Sequence, residues 1–222
     1  MIPKLALFDL DHTLIPFDSD HAWGEFTVAQ GWREPISFSQ QNDKYYAQYT
    51  AGTLDIHDYI RFATQALRAQ GTAKSIAAHA CFMPAVVLNN IKPQALALVQ
   101  KHQAAGDSVA IVTATNAFVT RPIADAFGVK TLIAVELARD VHGEFTGEIE
   151  GTPSFRHGKV TRVAQYLADQ NLTWAQVETT FYSDSINDLP LLEKVNHPVA
   201  TNPDERLRAL ATERGWRILD LF

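Results

Sequence analysis

The chain has 222 residues, 46% of them hydrophobic, with 19 basic residues against 25 acidic ones and a formal charge of −6. That is apolar enough for a sizeable core, which excludes wholesale disorder, and the length fits one core carrying a smaller insert. No lysine or arginine run is present, so a general nucleic-acid surface is excluded and an anionic ligand must be held by a few local groups.

In chain order, residues 4–9 read as a continuous apolar strand, buried on both faces as in a parallel sheet. The strand ends in FDLDHT, where Asp9 and Asp11 break the apolar run. That break predicts that the run is no signal peptide. Four helices without an intervening strand are expected next. The first is SDHAWGEFTVAQ, stopped by Gly31; the second carries Tyr45, Tyr46 and Tyr49 and stops near Gly52. The third has Ile56, Tyr59, Ile60, Ala63 and Leu67 at amphipathic spacing and ends at Gly71, and the fourth spans residues 73–83. They make an inserted four-helix bundle over residues 16–85, leaving residues 1–15 and 86–222 as the core. Trp23, Phe26, Tyr45, Tyr46 and Tyr59 are read as the bundle's own core. Cys81 is the only cysteine, flanked by apolar residues, and is read as a small buried hydrophobe. A single cysteine permits no intramolecular disulfide, and no stretch approaches the ~18 apolar residues of a membrane span. The expected location is the cytoplasm, without a membrane partner.

From residue 91 the pattern alternates. Pro93 opens a helix that Gly106 stops, and SVAIVT is a buried strand ending at Thr113. A helix to Phe127, the strand KTLIAVE and a β-hairpin over 136–150 follow. Val160, Val163, Ala164 and Leu167 mark another helix, and ETTFYS and HPVAT read as strands. NPDE supplies Asn202 as N-cap, a proline at N1 and Glu205 for a capping box. WRILDLF ends in a short strand. The alternation predicts an α/β fold: a doubly wound, mostly parallel Rossmann-like sheet with helices on both faces.

Ligands of such sheets bind beyond the carboxyl ends of the strands. Asp9 and Asp11, Thr113, Lys159, and Asp184 with Asp188 all fall at predicted strand ends or helix starts. Like charges raise each other's pKa, so that many carboxylates at one rim call for a cation. Oxygen donors without a histidine or cysteine cluster suit a hard ion, Mg²⁺. A lysine and a hydroxyl opposite them suit a phosphoryl group. One aspartate is then a nucleophile forming an acyl phosphate, and the other gives a proton to the leaving oxygen and later takes one from water. No histidines pair at zinc-ligand spacing, and His12 and His157, beside the motifs, read as exposed loop residues.

DLDHT, Thr113 in IVTAT, Lys159 in HGKV, and SDSIND stand in the order of the four motifs of the haloacid-dehalogenase-like phosphatases, which the chain resembles. The helical insert resembles the cap of the phosphoserine-phosphatase-like branch. The resemblance implies a Mg²⁺-dependent phosphatase acting on a small-molecule phosphate ester through an aspartyl phosphate. It makes Asp9 the nucleophile and Asp11 the general acid/base, with Thr113, Ala114 and Lys159 on the phosphate. Asp9, Asp11, Asp184 and Asp188 would surround the metal, supported by Thr13 and Asn187. The chain also departs from the branch. Asp18 stands where a glutamate meets the substrate amine, and Ala63 where an arginine meets its carboxylate, with Arg61 nearby. Thr113-Ala114-Thr115 replaces Ser-Gly-Gly. Without the carboxylate anchor, an amino-alcohol phosphate such as histidinol phosphate suits the chain better than phosphoserine, with Asp18, Asp20 and Arg61 as candidate substrate residues. Two further readings share the chemistry: a phosphotransferase or mutase on the same scaffold, and a receiver-type signalling module. The chain's length and the early position of its acidic pair speak against the second.

Overall fold

Five residues, KLALF, form β1 (Lys4–Phe8), where alternate side chains serve two cores. The computed structural model describes residues 2–222; residue 1 of the expected core segment lies outside them. After β1 come α1 (Ser19–Ala29), α2 (Pro35–Ala51), α3 (Ile56–Ala63), α4 (Gln65–Gln70) and α5 (Thr72–Phe82). The chain then runs through α6 (Pro93–Ala104), β2 (Ser108–Asn116), α7 (Ala117–Ala126), β3 (Thr131–Val135) and a hairpin of β4 (Leu137–Arg139) and β5 (Phe145–Ile149). It continues through α8 (His157–Asp169), β6 (Glu178–Ser183), α9 (Leu189–Leu192), β7 (His197–Thr201), α10 (Glu205–Arg214) and β8 (Arg217–Leu219).

Six strands pair in parallel in the order β3-β2-β1-β6-β7-β8. The chain winds outward from β1 to β3, then returns to the other side of β1 with β6. That reversal opens a crevice at the carboxyl ends of β1 and β6, the place where such sheets bind ligands. Leu5 and Leu7 of β1 pack with Val163 and Leu167 of α8 on one face. Ala6 and Phe8 pack with Ala95 and Val99 of α6 and Ile123 of α7 on the other. Trp23, Ile60, Leu67 and Phe82 of the inserted helices join this second cluster, so the insert shares a core with the sheet rather than owning one.

The doubly wound parallel sheet is as predicted, and five local features differ. Thr64 breaks the expected third helix into α3 and α4, its hydroxyl donating to Ile60 O at 2.6 Å in competition with the helical ladder. Beyond α5 the chain continues through a π turn at Met83–Val87 and a 3₁₀ turn at Leu88–Asn90, so helical structure passes Ala85; Pro84, lacking an N–H, loosens the ladder there. β2 runs past Thr113 to Asn116. α10 is capped by Asp204, whose Oδ1 accepts from Leu207 N at 2.7 Å. Asn202 is instead committed elsewhere: its Nδ2 donates to His12 O at 3.0 Å and its Oδ1 accepts from Leu221 N at 2.6 Å. Cys81 is exposed, because α5 buries the face of Ser75, His79 and Phe82. No single helix among the described residues is long and apolar enough to cross a membrane.

Candidate active site

Phe8 pairs in register with Ile111 of β2 and Tyr182 of β6, so Asp9 leaves the sheet between those strands. Its N–H still donates to Tyr182 O at 2.9 Å, which fixes the backbone at the rim. The next residues turn sharply. Thr13, Leu14 and Ile15 all direct their N–H groups at Leu10 O, and His12 takes a left-handed conformation (φ 55°) with its side chain exposed. This turn brings Asp9, Asp11 and Thr13 to one wall. Asn202 holds it from outside through the carbonyls of His12 and Thr13.

Lys159, in the first turn of α8, is buried under this wall at 2% exposure. Its Nζ donates to Asp9 Oδ1 at 2.8 Å and to Asp188 Oδ2 at 2.7 Å. Burial disfavours the ammonium, but Asp188 and Asp9 more than offset that and hold its pKa above the ordinary lysine range. Gly158 makes the placement possible: a Cβ there would lie 1.9 Å from Pro153 O. Asp188 also accepts from Ser183 Oγ at 2.7 Å. Burial, with repulsion from Asp9, raises its pKa to about 6 against the opposing pull of Lys159.

Asp11 faces the other way. Its Oδ1 accepts from Ser19 N at 2.8 Å, at the start of α1, and its Oδ2 from Thr115 Oγ1 at 2.8 Å. Burial, then repulsion from Asp18 and Asp9, holds its carboxyl well above the usual range. The Thr13 hydroxyl lies between two carboxylates, 3.1 Å from Asp184 Oδ1 and 3.5 Å from Asp9 Oδ2, and accepts from Asp184 N at 3.0 Å. Burial and repulsion by Asp9 and Asp188 raise the Asp184 pKa. Thr113 is buried opposite, its Oγ1 accepting from Thr115 N at 3.1 Å.

The four expected metal carboxylates therefore divide. Asp9 and Asp184 face each other across Thr13, whereas Asp11 has both oxygens hydrogen-bonded, to Ser19 and Thr115, and Asp188 has one, Oδ2, shared by Lys159 and Ser183. Among the described residues no three acidic, histidine or cysteine side chains form a ready cage. A buried carboxylate and a half-buried one that repel each other across one hydroxyl still present all-oxygen donors for a hard cation. Mg²⁺ suits such a set, since it is held by one or two carboxylates together with waters and substrate phosphate.

Above this floor lies a cavity of about 1150 Å³, walled by the inserted helices. Asp9, Asp11, Thr113, Ala114, Lys159, Asp184 and Asn187 all line it. Of the three expected substrate residues, Asp18 alone does. Asp18 Oδ1 also caps α1 through His21 N at 2.8 Å. Asp20 is buried behind the wall, accepting from Asn116 Nδ2 at 3.3 Å, and burial followed by repulsion from Asp18 pushes its pKa up to about 6. Arg61 is turned outward, donating to Glu148 at 2.9 Å and Asp58 at 2.8 Å. The aromatic set also divides: Trp23 is core, but Tyr45, Tyr46 and Tyr59 line the cavity, the Tyr45 hydroxyl donating to Asp58 O at 3.3 Å and the Tyr59 phenol lying beside Asp20. His12 is on the rim, and Phe155 rather than His157 reaches the cavity. Sequence reasoning missed Thr115, Ser183, Asn202 and Tyr49. The first two sit within the motifs and could have been found there; the last two carry no local signal.

The model of the haloacid dehalogenase-like hydrolases matches residues 6–193. A histidinol-phosphatase of Neisseria meningitidis is 41% identical over 218 residues, covering 98% of each chain. A protein of unknown function from Bordetella pertussis Tohama I has a structure that superposes with a TM-score of 0.94 at 46% identity, covering both chains completely. A phosphoserine phosphatase carrying a phospho-aspartyl intermediate analogue has the same fold, with a TM-score of 0.70 at 17% identity over 100% of this chain and 95% of its own. With the match spanning both the strand that carries Asp9 and the loop that carries Asp184, the chain belongs to the haloacid dehalogenase-like hydrolase family.

Proposed function

We propose that this phosphatase hydrolyses the phosphate monoester of a small amino alcohol, with Asp9 as nucleophile and histidinol phosphate as the substrate its Neisseria relative points to. The observation that carries the reading is the Asp9–Lys159 pair, a buried carboxylate that lines the cavity with one oxygen held at 2.8 Å by an ammonium and the other 3.5 Å from the Thr13 hydroxyl. Lys159 fixes Oδ1 and leaves Oδ2 to attack phosphorus. Thr113, the Ala114 backbone and Lys159 hold the phosphoryl oxygens. As the bond from phosphorus to the ester oxygen breaks, Asp11 gives that oxygen its proton, a role suited to a carboxyl whose pKa is held high. In the second half Asp11 takes a proton from water attacking the phosphorus of the aspartyl phosphate. Phosphate leaves and the Asp9 carboxylate is restored. Asp9, Asp184 and the backbone carbonyl of Asp11 would hold Mg²⁺, which would supply charge neutralisation for the phosphoryl oxygens. A single cysteine suits a cytoplasmic enzyme.

The wall supports the substrate class. Asp18 is a carboxylate among Tyr45 and Tyr59, a setting for an ammonium or imidazolium. Arg61 is paired on the outside, and Arg206, the arginine on the wall, donates to Thr50 O at 3.2 Å. Among the described residues Arg206 is thus the one guanidinium on the wall, with an N–H already spent on a backbone carbonyl, whereas the carboxylate of Asp18 offers a cation a direct partner. Histidinol phosphate should be hydrolysed far more efficiently than phosphoserine. Asp18→Ala should lose about ten- to a hundredfold in kcat/KM on histidinol phosphate, the worth of one charge-assisted hydrogen bond of ~1.5–3 kcal/mol. Its turnover of p-nitrophenyl phosphate, which lacks a cation, should change little. Equal losses on both substrates would reduce Asp18 to its role as the cap of α1.

A further inference from the structure

A helix leaves the carbonyls of its last turn without partners of its own. Gly52, in the left-handed conformation (φ 74°), ends α2 and turns the chain away. Of the last-turn carbonyls, Tyr49 O accepts from Gly52 N at 3.1 Å and, like Thr50 O, also from the sheet side of the molecule. Asn187 Nδ2 donates to Tyr49 O at 3.2 Å. Arg206 Nη1 donates to Thr50 O at 3.2 Å, a cation where the helix dipole favours one. The Tyr49 side chain reaches the same region. Its hydroxyl stands 3.2 Å from Ser185 Oγ, and its ring lies against Phe155 with centroids 6.4 Å apart. Ser185 and Asn187 are the residues between which the chain passes from Asp184 to Asp188. Tyr49 thus touches that loop twice, once with its backbone and once with its phenol. Burial, with Asp188, Asp184 and Asp9 nearby, keeps that phenol un-ionised, so it remains a donor as well as an acceptor.

We propose that Tyr49 is a positioning residue. By gripping Ser185 and Asn187 it sets the loop that carries Asp184 and Asp188, so that seating of α2 over the cavity and formation of the cation and phosphoryl site are one event. Tyr45, on the same helix, turns its hydroxyl to Asp58 O at 3.3 Å and its ring to Tyr59 instead. The inference rests on the phosphatase reading and adds to it a link between the insert and the acidic loop.

Tyr49→Phe removes the hydroxyl and keeps the ring, and Ser185→Ala removes its partner. Each should lower kcat on p-nitrophenyl phosphate roughly three- to tenfold, the scale of one hydrogen bond. In the double variant the losses should not add: both changes delete the Tyr49–Ser185 contact, and Ser185→Ala deletes the bond from Asn187 N to Ser185 Oγ as well, so the double variant should match Ser185→Ala alone. The separating readout uses Mg²⁺ alone, without substrate. The Mg²⁺ concentration giving half of the thermal-stability gain should rise by a similar factor in Tyr49→Phe, with the melting temperature in EDTA little changed. A hydroxyl that only supports the fold would lower the metal-free melting temperature and leave the Mg²⁺ midpoint unmoved. That result, or wild-type kcat and midpoint in Tyr49→Phe, overturns the proposal. A wild-type protein without phosphatase activity would instead defeat the reading on which the proposal rests, whatever the Mg²⁺ midpoints show.

Discussion

Asp20 is the clearest case of a carboxylate whose cost can be measured. It is 6% exposed, one of its oxygens finds no partner, and burial followed by Asp18 raises its pKa from 3.8 to about 6, against the pull of Arg33. A raised folded-state pKa means that the native chain binds the proton more tightly than the unfolded chain. The stability it adds is complete below the unfolded value and is lost as pH rises through about 6. The loss is on the order of 3 kcal/mol. Asp20→Asn removes that titration, so its melting temperature relative to wild type should climb between pH 4 and pH 7 and then level. A constant difference across that range would mean that Asp20 titrates as an ordinary carboxyl. The same residue shows what sequence can and cannot give. Asp9, Asp11, Thr113, Lys159 and Asp184 could be grouped from sequence because each is a polar group at the end of an apolar strand or the start of a helix, and the structure sets all five around one cavity. Asp20 and Arg61 were misplaced because a helical residue's face depends on its neighbours. The partner of Arg61, Glu148, is 87 positions away.

Among the elements, strands were read best, since continuous apolar runs leave little choice about burial. The misreadings arose where a side chain competes with the ladder or a polar residue continues a strand. Thr64 splits one helix by bonding Ile60 O, and Thr115 and Asn116 extend β2 although they look like loop residues. α8 depends on Gly158 more than on its apolar stripe. A methyl group there meets a backbone carbonyl at 1.9 Å, so the loop at Pro153 or the start of α8 must move, and Lys159 moves with it. Gly158→Ala should cost ~1–3 kcal/mol of stability, the usual range for overpacking. It should also lower kcat by more than tenfold, as Asp9 loses its ammonium. A fully active variant with only a lowered melting temperature would show that the loop absorbs the shift and that Lys159 stays in place.

Across the whole molecule, the reversal of winding at β1 explains why residues as far apart as Asp9 and Asp184 meet, while the inserted helices add the remaining walls. The run of helices between the first two strands was legible in the sequence, but the interior they share with the sheet was not. Trp23, Ile60, Leu67 and Phe82 contribute to the same cluster as Phe8, Ala95 and Val99. The chain should therefore unfold in one cooperative step, with tryptophan fluorescence and far-ultraviolet circular dichroism giving coincident transitions. Two separated transitions would mean that the insert folds on its own core. The central claim is that catalysis runs through Asp9, and a trapped intermediate tests it most directly. Wild-type protein turning over histidinol phosphate labelled in its phosphoryl group should, on rapid acid quenching and peptide mass analysis, carry one phosphoryl group on the peptide containing Asp9. Asp9→Asn should carry none and release no phosphate. Label on another residue, or undiminished phosphate release by Asp9→Asn, would contradict the account.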